Sequence, residues 1–552
     1  MAILTINGRD IEISDHEVLN LIQAAQRAGV EIPHYCWHPA LSVVASCRMC
    51  LVEVGEKKPD GSVVMQPRVV PACQTPAKHG TVVVTNSPKA RAAQAATLEY
   101  LLLNHPLDCP VCDQAGECLL QDFSYKYGHA RSRLRDEKLI RPDKYHIGEQ
   151  IVLFTDRCIM CTRCVRFTRE ISGTAELQVI HRGDHAEIDI FPGKPCNNKL
   201  AGNVVDICPV GALCSKDFLY RQRVWFLKSH KSVCPHCATG CSIWIDQNKN
   251  IVYRLRPRYN PQANGHFMCD EGRFGYHHVN SKERLLQPLA RRPEGWMSLA
   301  WSELIQDIRD QLQKITQAQE DHRVALVLSP WLTLEEVWLA CRFVRQVCPR
   351  AKLVRGPVRD AGNDDLYPKG PHGEPPPPDK AKFIIRGEKA PNRRGLDILL
   401  VYFGPSIFSW AQLLELISQH AVGHLYCLNA DPLWEPSPSE LELLRSLKTL
   451  VVWDVFPRNW QDLAHWLIPA TTFAEKNGTY INANGLAQNF RPAVIPPEGI
   501  WPETRLFWEL LGQPGLYHAP TVRREIAASV SALRPLDTDD LGEYGTIIQP
   551  AA

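Results

Sequence analysis

The chain has 552 residues, enough for about three to five domains, and its 62 Lys+Arg stand against 60 Asp+Glu, a formal charge of +2. That near-balance gives no ground for a nucleic-acid partner or a strongly charged substrate. No apolar run approaches the roughly 18 residues of a membrane-spanning helix. The N-terminus enters a strand at once, with neither a signal peptide's apolar core nor an Arg/Ser-rich leader, so the expectation is a soluble cytoplasmic protein. In a reducing compartment, twenty cysteines read as metal ligands rather than disulfides. Fifteen fall into four tight groups ending at Cys269. The other five, Cys196, Cys214, Cys341, Cys348 and Cys427, lack ligand-like spacing and read as buried apolar thiols.

Taken in order, residues 3–6 and 11–13 flank Asn7-Gly8-Arg9-Asp10, a strong hairpin signal. Ser14 or Asp15 is placed to cap a helix with apolar face Val18, Leu19, Ile22, Ala25 and Ala28, ended by Gly29. Cys36-x10-Cys47-x2-Cys50-x22-Cys73 follows. Two strands, a helix and a cysteine-bearing loop suggest a small β-grasp domain, as in plant-type [2Fe–2S] ferredoxins, with a longer first gap. Four thiolates suit zinc or iron–sulfur, and this context favours a two-iron cluster.

Residues 91–103 read as a helix from their Ala/Leu content and lead into His105-x3-Cys109-x2-Cys112-x5-Cys118. One imidazole and three thiols can saturate a metal centre unaided, and the set suits structural zinc as well as iron–sulfur. The third set is Cys158-x2-Cys161-x2-Cys164, with Cys208-Pro209 forty-three residues on. In two-cluster bacterial ferredoxins the fourth Cys of each C-x2-C-x2-C-x3-C-P run serves the other cluster. On that template Cys208 completes the cluster begun by Cys158, Cys161 and Cys164. The twin's positions are Thr168, Asn198, Ala201 and Val204, none able to hold iron. One [4Fe–4S] cluster survives. The fourth set, Cys234-x2-Cys237-x3-Cys241-x27-Cys269, reads as a further [4Fe–4S] site, with structural zinc the alternative.

Beyond residue 280 strands and helices alternate. Val324–Leu328 is a strand, and Thr333-x-x-Glu336 a capping box for a helix through Val347. Ser302 precedes a helix with stripe Leu304, Ile305, Ile308, Leu312 and Ile315. Ile398–Phe403 (ended by Gly404-Pro405), His424–Leu428 and Leu450–Trp453 read as further strands, implying a parallel, doubly wound sheet. Residues 368–378, with six Pro and two Gly, form an irregular loop. No Walker A sequence, strand-borne GxGxxG or Ser/His/Asp arrangement appears, so the chain shows electron carriers and no substrate site.

The four sets, in this order and spacing, resemble the large iron–sulfur subunit family of bacterial respiratory complex I, NADH–quinone oxidoreductase. Trp301-Ser-Glu-Leu resembles the Trp-Asp-Glu-Ala start of the molybdopterin oxidoreductases. Leu467-Ile-Pro-Ala-Thr-Thr-Phe-Ala-Glu-Lys-Asn-Gly-Thr-Tyr-Ile-Asn resembles their Leu-Pro…Glu…Gly-Thr…Asn segment. The resemblance implies an α+β multidomain chain. Residues 1–85 would form the [2Fe–2S] β-grasp domain and 86–130 a [4Fe–4S] domain with one His and three Cys ligands. Residues 131–225 would be a ferredoxin-like [4Fe–4S] domain, 226–285 a molybdopterin-oxidoreductase-type [4Fe–4S] domain, and 286–552 a truncated, non-catalytic α/β remnant of the molybdopterin fold.

It also implies one [2Fe–2S] cluster and three [4Fe–4S] clusters, with His105 a ligand beside the fifteen cysteines, and no molybdopterin. Related molybdenum enzymes place Lys two residues after the last cluster Cys, where this chain has Glu271. Their catalytic Cys or selenocysteine has no counterpart after the 333–347 helix. The implied activity is electron transfer from an FMN- and NADH-binding subunit towards quinone, coupled in the whole complex to proton translocation. The implied neighbours are that subunit, a [2Fe–2S] subunit, a two-cluster ferredoxin-like subunit and quinone-site subunits, peripheral on the inner face of the cell membrane. Two readings of other classes stand beside it: a catalytic iron–sulfur enzyme such as formate dehydrogenase or [FeFe]-hydrogenase, and a structural zinc scaffold. Glu271 and the absence of a hydrogenase active-site cysteine set beyond residue 270 weigh against the first.

Overall fold

Asn7 and Gly8 take left-handed backbone at φ 49° and 79°, which turns the chain with the twist a two-residue hairpin needs. Ala2–Ile6 and Arg9–Ile13 pair antiparallel, with Ala2 opposite Ile13. The computed structural model describes residues 1–548 except Asp15 and Pro405. It divides into two compact units, Met1–Leu227 with Tyr367–Lys382, and Lys228–Leu366 with Phe383 onwards.

In the first unit, Thr81–Val84 runs parallel to the first strand, and Leu51–Lys57 pairs antiparallel with Thr81–Val84. The short helix Leu21–Arg27 buries Leu21, Ile22, Ala24 and Ala25 against Leu4, Ile6, Val52 and Val83. That is a β-grasp arrangement. The helix starts later than its apolar pattern suggested. Asn20 is the cap, accepting from the Gln23 backbone N–H while the Gln23 side chain accepts from Asn20. This reciprocal box fixes the start, leaving Ser14 outside the helix and Val18 92% exposed; Asp15 lies outside the described residues. Gly29 (φ 67°) follows the helix, as expected.

Ser87 caps the helix Pro88–Leu102, with proline at its first position. A ferredoxin-like segment follows, with helices Arg163–Phe167 and Asn203–Ile207, strand pair Ile151–Leu153 and Leu213–Ser215, and hairpin Leu177–Ile180 with Glu187–Ile190. The proline-rich stretch is irregular, as expected, yet it belongs to this unit. Lys369 N–H donates to Ser172 O at 2.8 Å, and Lys382 Nζ to Glu170 O at 3.0 Å. Gly173 (φ 76°) is required there, because a Cβ would meet the Lys369 carbonyl oxygen at 2.0 Å.

The second unit opens with the antiparallel strands Lys228–Val233, Ser242–Asn248 and Ile251–Pro257. Its main sheet has eight strands. Six run parallel, in spatial order Trp466–Pro469, Thr449–Asp454, His424–Leu428, Val324–Leu328, Lys352–Arg355 and Ile407–Phe408. The hairpin Leu289–Arg292 and Gly295–Ser298 closes one edge antiparallel. Both faces are covered. Leu326, Leu328, Tyr426, Leu428, Val451 and Trp453 pack under the helices Trp301–Gln317, Leu334–Val347 and Arg393–Phe403. The alternate residues Ala325, Val327, Leu425, Cys427, Leu450 and Val452 pack with Trp410–Ser418 and Trp460. A doubly wound sheet follows from that two-sided burial.

One expected strand is a helix. Ile398–Phe403 forms the end of Arg393–Phe403, which buries Leu396, Leu399 and Leu400 at helical spacing and leaves Val401 68% exposed. Six apolar residues suit either element; the preceding turn, where Arg393 pairs with Asp397 at i,i+4, supplies the helical length. Gly404 ends it, and Pro405 lies outside the described residues. The helix expected after Ser302 begins at Trp301, where Glu303 accepts from the Ala300 N–H at 2.8 Å. The Thr333–Glu336 capping box is present as read. No helix among the described residues is long and apolar enough to cross a membrane.

A buried ionic cluster ties the Leu334–Val347 helix to the chain after Pro469. Lys476 Nζ lies 3.0 Å from Glu336 and 3.6 Å from Glu503, and Glu335 accepts from the Thr479 N–H and hydroxyl at 2.8 Å each. Burial raises the Glu503 carboxyl above the ordinary range, with Lys476 opposing. The native state therefore keeps a proton that the unfolded chain releases, and stability falls as pH rises above the usual carboxylate value. Glu503→Gln should flatten that loss, removing up to about 1.4 kcal/mol per pH unit of slope. Denaturant unfolding at pH 5 and pH 7, followed by tryptophan fluorescence, measures this, since twelve of the fourteen tryptophans lie in the second unit.

Candidate metal centres

The first set is held by the loop between the Leu21–Arg27 helix and the Leu51–Lys57 strand, plus Cys73 beyond it. Ala45 (φ 54°) and Arg48 (φ 58°) bend this loop. Cys36 comes within hydrogen-bonding reach of Cys47 and Cys73, and Cys50 of Cys73. Four thiols this close share protons. Donation from Cys47 and Cys73 holds the Cys36 thiol low, and the same contacts push Cys47 and Cys73 up.

In the second set, Cys112 N–H donates to Asp108 O at 2.8 Å, closing the turn that carries Cys109. Cys112 and Cys118 are buried and Cys109 is exposed. Gly211 is needed beside them, because a Cβ there would meet Cys112 Sγ at 2.2 Å. Burial pushes the Cys118 thiol up to about 11. It depresses the His105 imidazole to about 4, with the Lys138 and Arg157 cations adding to the effect. A neutral ring with a buried, unpartnered Nδ1 has a lone pair to offer. His105 lines a groove with Cys158, Ile159 and Met160.

The third set converges most clearly. Cys158, Cys161, Cys164 and Cys208 line one pocket together with Ile159, Val210 and Ala212. Met160 (φ 51°) and Thr162 (φ 58°) turn the chain between successive cysteines, and Met160 N–H points at Cys158 Sγ, 3.4 Å away. Burial drives the thiols up, Cys158 to about 12 and Cys161 to about 11. At the twin's positions Thr168, Ala201 and Val204 are buried, and Asn198 is engaged with Glu176 and the Leu200 N–H.

The fourth set is buried throughout. Cys234 N–H donates to Cys241 O at 2.8 Å, and Cys269 caps the helix Asp270–Phe274, its sulfur accepting from Gly272 N–H at 3.4 Å. A Cβ on Gly272 would lie 2.9 Å from Cys234 Sγ and 3.6 Å from Cys269 Sγ. Glu271 pairs with Lys389 and stands 3.8 Å from Arg359. His236, between Cys234 and Cys237, is 1% exposed with neither ring nitrogen hydrogen-bonded.

The remaining cysteines, Cys196, Cys214, Cys341, Cys348 and Cys427, are all buried. Among the described residues no group of three or more Cys, His, Asp or Glu takes the spacing of a single metal ion. What the chain offers is soft sulfur donors in three sets of four and one of three, with spare N–H groups beside them: His236, Arg163 Nε and Arg166 Nε have no hydrogen-bond partner. That chemistry fits a sulfur-rich anionic group. Sequence reasoning passed over the buried arginines Arg157, Arg163 and Arg166; the only signal was their interleaving with Cys158, Cys161 and Cys164.

Family profiles match along the chain. Residues 1–88 match a 2Fe-2S iron-sulfur cluster binding domain, and 94–133 the NADH-ubiquinone oxidoreductase-G iron-sulfur binding region. Residues 148–214 match the ferredoxin-like domain of NADH-quinone oxidoreductase subunit 3. Residues 227–281 match the molybdopterin oxidoreductase Fe4S4 domain and 406–510 the molybdopterin oxidoreductase family. The NADH-quinone oxidoreductase-G protein of Rickettsia bellii is 40% identical over 312 residues, 56% of this chain and 44% of that protein. The mitochondrial NADH-ubiquinone oxidoreductase 78 kDa subunit of Neurospora crassa is 40% identical over 314 residues, 56% of this chain and 40% of that one. A chain of a solved NAD+-reducing [NiFe]-hydrogenase in the H2-reduced state is 27% identical, with a TM-score of 0.35, covering 40% of this chain and 91% of that one. The chain spans about half the length of the curated relatives it matches.

Proposed function

We propose that this chain, which belongs to the NADH-quinone oxidoreductase-G family of large iron–sulfur subunits, conducts electrons through four iron–sulfur centres from an NADH- and FMN-binding subunit towards quinone. It carries 2Fe-2S and 4Fe-4S binding domains. We assign Cys36, Cys47, Cys50 and Cys73 to one [2Fe–2S] cluster. Three [4Fe–4S] clusters fall to His105 with Cys109, Cys112 and Cys118; to Cys158, Cys161, Cys164 and Cys208; and to Cys234, Cys237, Cys241 and Cys269. Bound clusters supply one-electron chemistry at low potential. The residues' part is to hold them, exclude water and donate N–H bonds to sulfur, as Met160 and Gly272 are placed to do.

The observation that carries this reading is the convergence of Cys208 on the pocket of Cys158, Cys161 and Cys164 across forty-three intervening residues. The domain division 1–85, 86–130, 131–225, 226–285 and 286–552 belongs to the same reading. So do the partners: the FMN/NADH-binding subunit, a [2Fe–2S] subunit, a two-cluster ferredoxin-like subunit and quinone-site subunits, on the inner face of the cell membrane. The doubly wound part is a non-catalytic scaffold without molybdopterin, since Glu271 stands beside the fourth set and is taken up by Lys389. Metal analysis of the purified, anaerobically prepared protein should find about fourteen irons, from one two-iron and three four-iron clusters, and no molybdenum. Zinc in place of iron, or stoichiometric pterin, would overturn the assignment.

A further inference from the structure

The geometry points to Arg163 and Arg166 as positioning residues, fixed cations that hold the Cys36 and Cys158 sets together and raise the reduction potentials of both centres. This rests on the ligand assignment above. The helix Arg163–Phe167 presents the two arginines three residues apart, on one face. Arg166 Nη2 donates to Cys36 O at 2.5 Å and to Cys161 O at 3.2 Å, and its Nη1 to Ser42 O at 2.6 Å. Arg163 Nη2 donates to Trp37 O at 2.5 Å and Nη1 to Ile207 O at 3.1 Å. Trp37 follows Cys36, and Ile207 precedes Cys208. Each guanidinium therefore bridges main chain beside a ligand of one set to main chain beside a ligand of the other.

Their charge is the second half of the argument. They are 7% and 8% exposed, and among the described residues neither makes an ion pair. All five bonds just named end on neutral carbonyls, and each Nε is buried without a partner. A buried cation without a counter-charge is strongly unfavourable. Four thiolates around a cluster supply net negative charge on each side of these arginines, and the attraction grows when either centre gains an electron. Arg157 is the contrast within the same run. It bonds Asp108 Oδ2 at 2.9 and 3.1 Å, so its charge is already answered by a carboxylate. Both sets sit in the field of the same pair, whose donors end on the main chain of each.

The test is a redox titration of the purified full-length protein, followed by EPR after iron analysis, for Arg166→Gln, Arg166→Lys and the same two changes at Arg163. The Gln variants should keep their iron while both centres shift to lower potential. The Lys variants, which retain charge but lose the fork, should stay near wild type. Loading of the Lys variants alone also supports a requirement for charge. A Gln variant with full iron and both potentials at wild-type values overturns the inference, as does loss of iron from Gln and Lys variants alike, which leaves only a structural clamp. Failure of the ligand assignment is distinguishable, because the wild-type protein would then lack the two EPR signals altogether.

Discussion

With Cys208 as fourth ligand of the proposed [4Fe–4S] cluster, Cys208→Ser should strip about four irons from the protein and leave the other three proposed centres in place. Cys208 ends the helix Asn203–Ile207, its N–H donating to Val204 O at 3.2 Å, and enters the same pocket as Cys158, Cys161 and Cys164. Serine preserves the shape of the turn but offers a hard, protonated oxygen where the other three positions offer soft sulfur. Iron analysis with EPR of the reduced variant measures the loss. A variant that kept all its iron and its full set of signals would move the fourth ligand elsewhere, and with it the ferredoxin template on which Cys208 was chosen.

Glu475→Gln should destabilise the second unit by about 3–5 kcal/mol, the cost of leaving a buried charge without its partner. Arg284 and Glu475 form a two-pronged pair at 2.6 and 2.7 Å, with side chains 1% and 2% exposed. Glu475 also accepts the Thr472 N–H at 2.8 Å. Gln keeps one acceptor oxygen and the volume but strands the guanidinium. Denaturation by urea at neutral pH reads the change. The double variant Arg284→Met with Glu475→Leu should recover most of it, because an apolar pair needs no desolvation. A single variant within about 1 kcal/mol of wild type would show that water reaches Arg284.

Much of this was legible in the sequence because its physics is local. Thiol spacing limits what a loop can wrap, so the convergence of Cys158, Cys161, Cys164 and Cys208 on one pocket was readable before any fold. Thr333 with Glu336 announces a helix start because both halves of the capping box fall within one turn, and strands such as His424–Leu428 are apolar enough to be buried on two faces. The misses share a cause. Asn20 with Gln23 carries a capping signal as strong as that of Ser14 or Asp15, and the apolar Val18 and Leu19 between them fit a helix begun at either place. Ile398–Phe403 is a six-residue apolar run whose element depends on the turn before it. Arg163 and Arg166 were missed because a buried arginine and a solvated one are written alike. Only the tertiary fold shows that their donors end on Trp37 and Cys36, more than a hundred residues away.

The return of Tyr367–Lys382 to the first unit sets a timetable for making the protein. The ribosome passes Leu227 and must then add about 140 residues before Tyr367 exists, a delay of roughly 7–28 s at the usual rates of synthesis. During that interval Ser172, Gly173 and Glu170 have no Lys369 or Lys382 to meet, while the cysteines from Cys36 to Cys208 have already been made. A nascent chain stalled between 227 and 366 should therefore be more open to protease around residues 168–174 than one released after 382. Cluster insertion into the first unit would be best matched to the later moment, when the last piece of its own wall arrives.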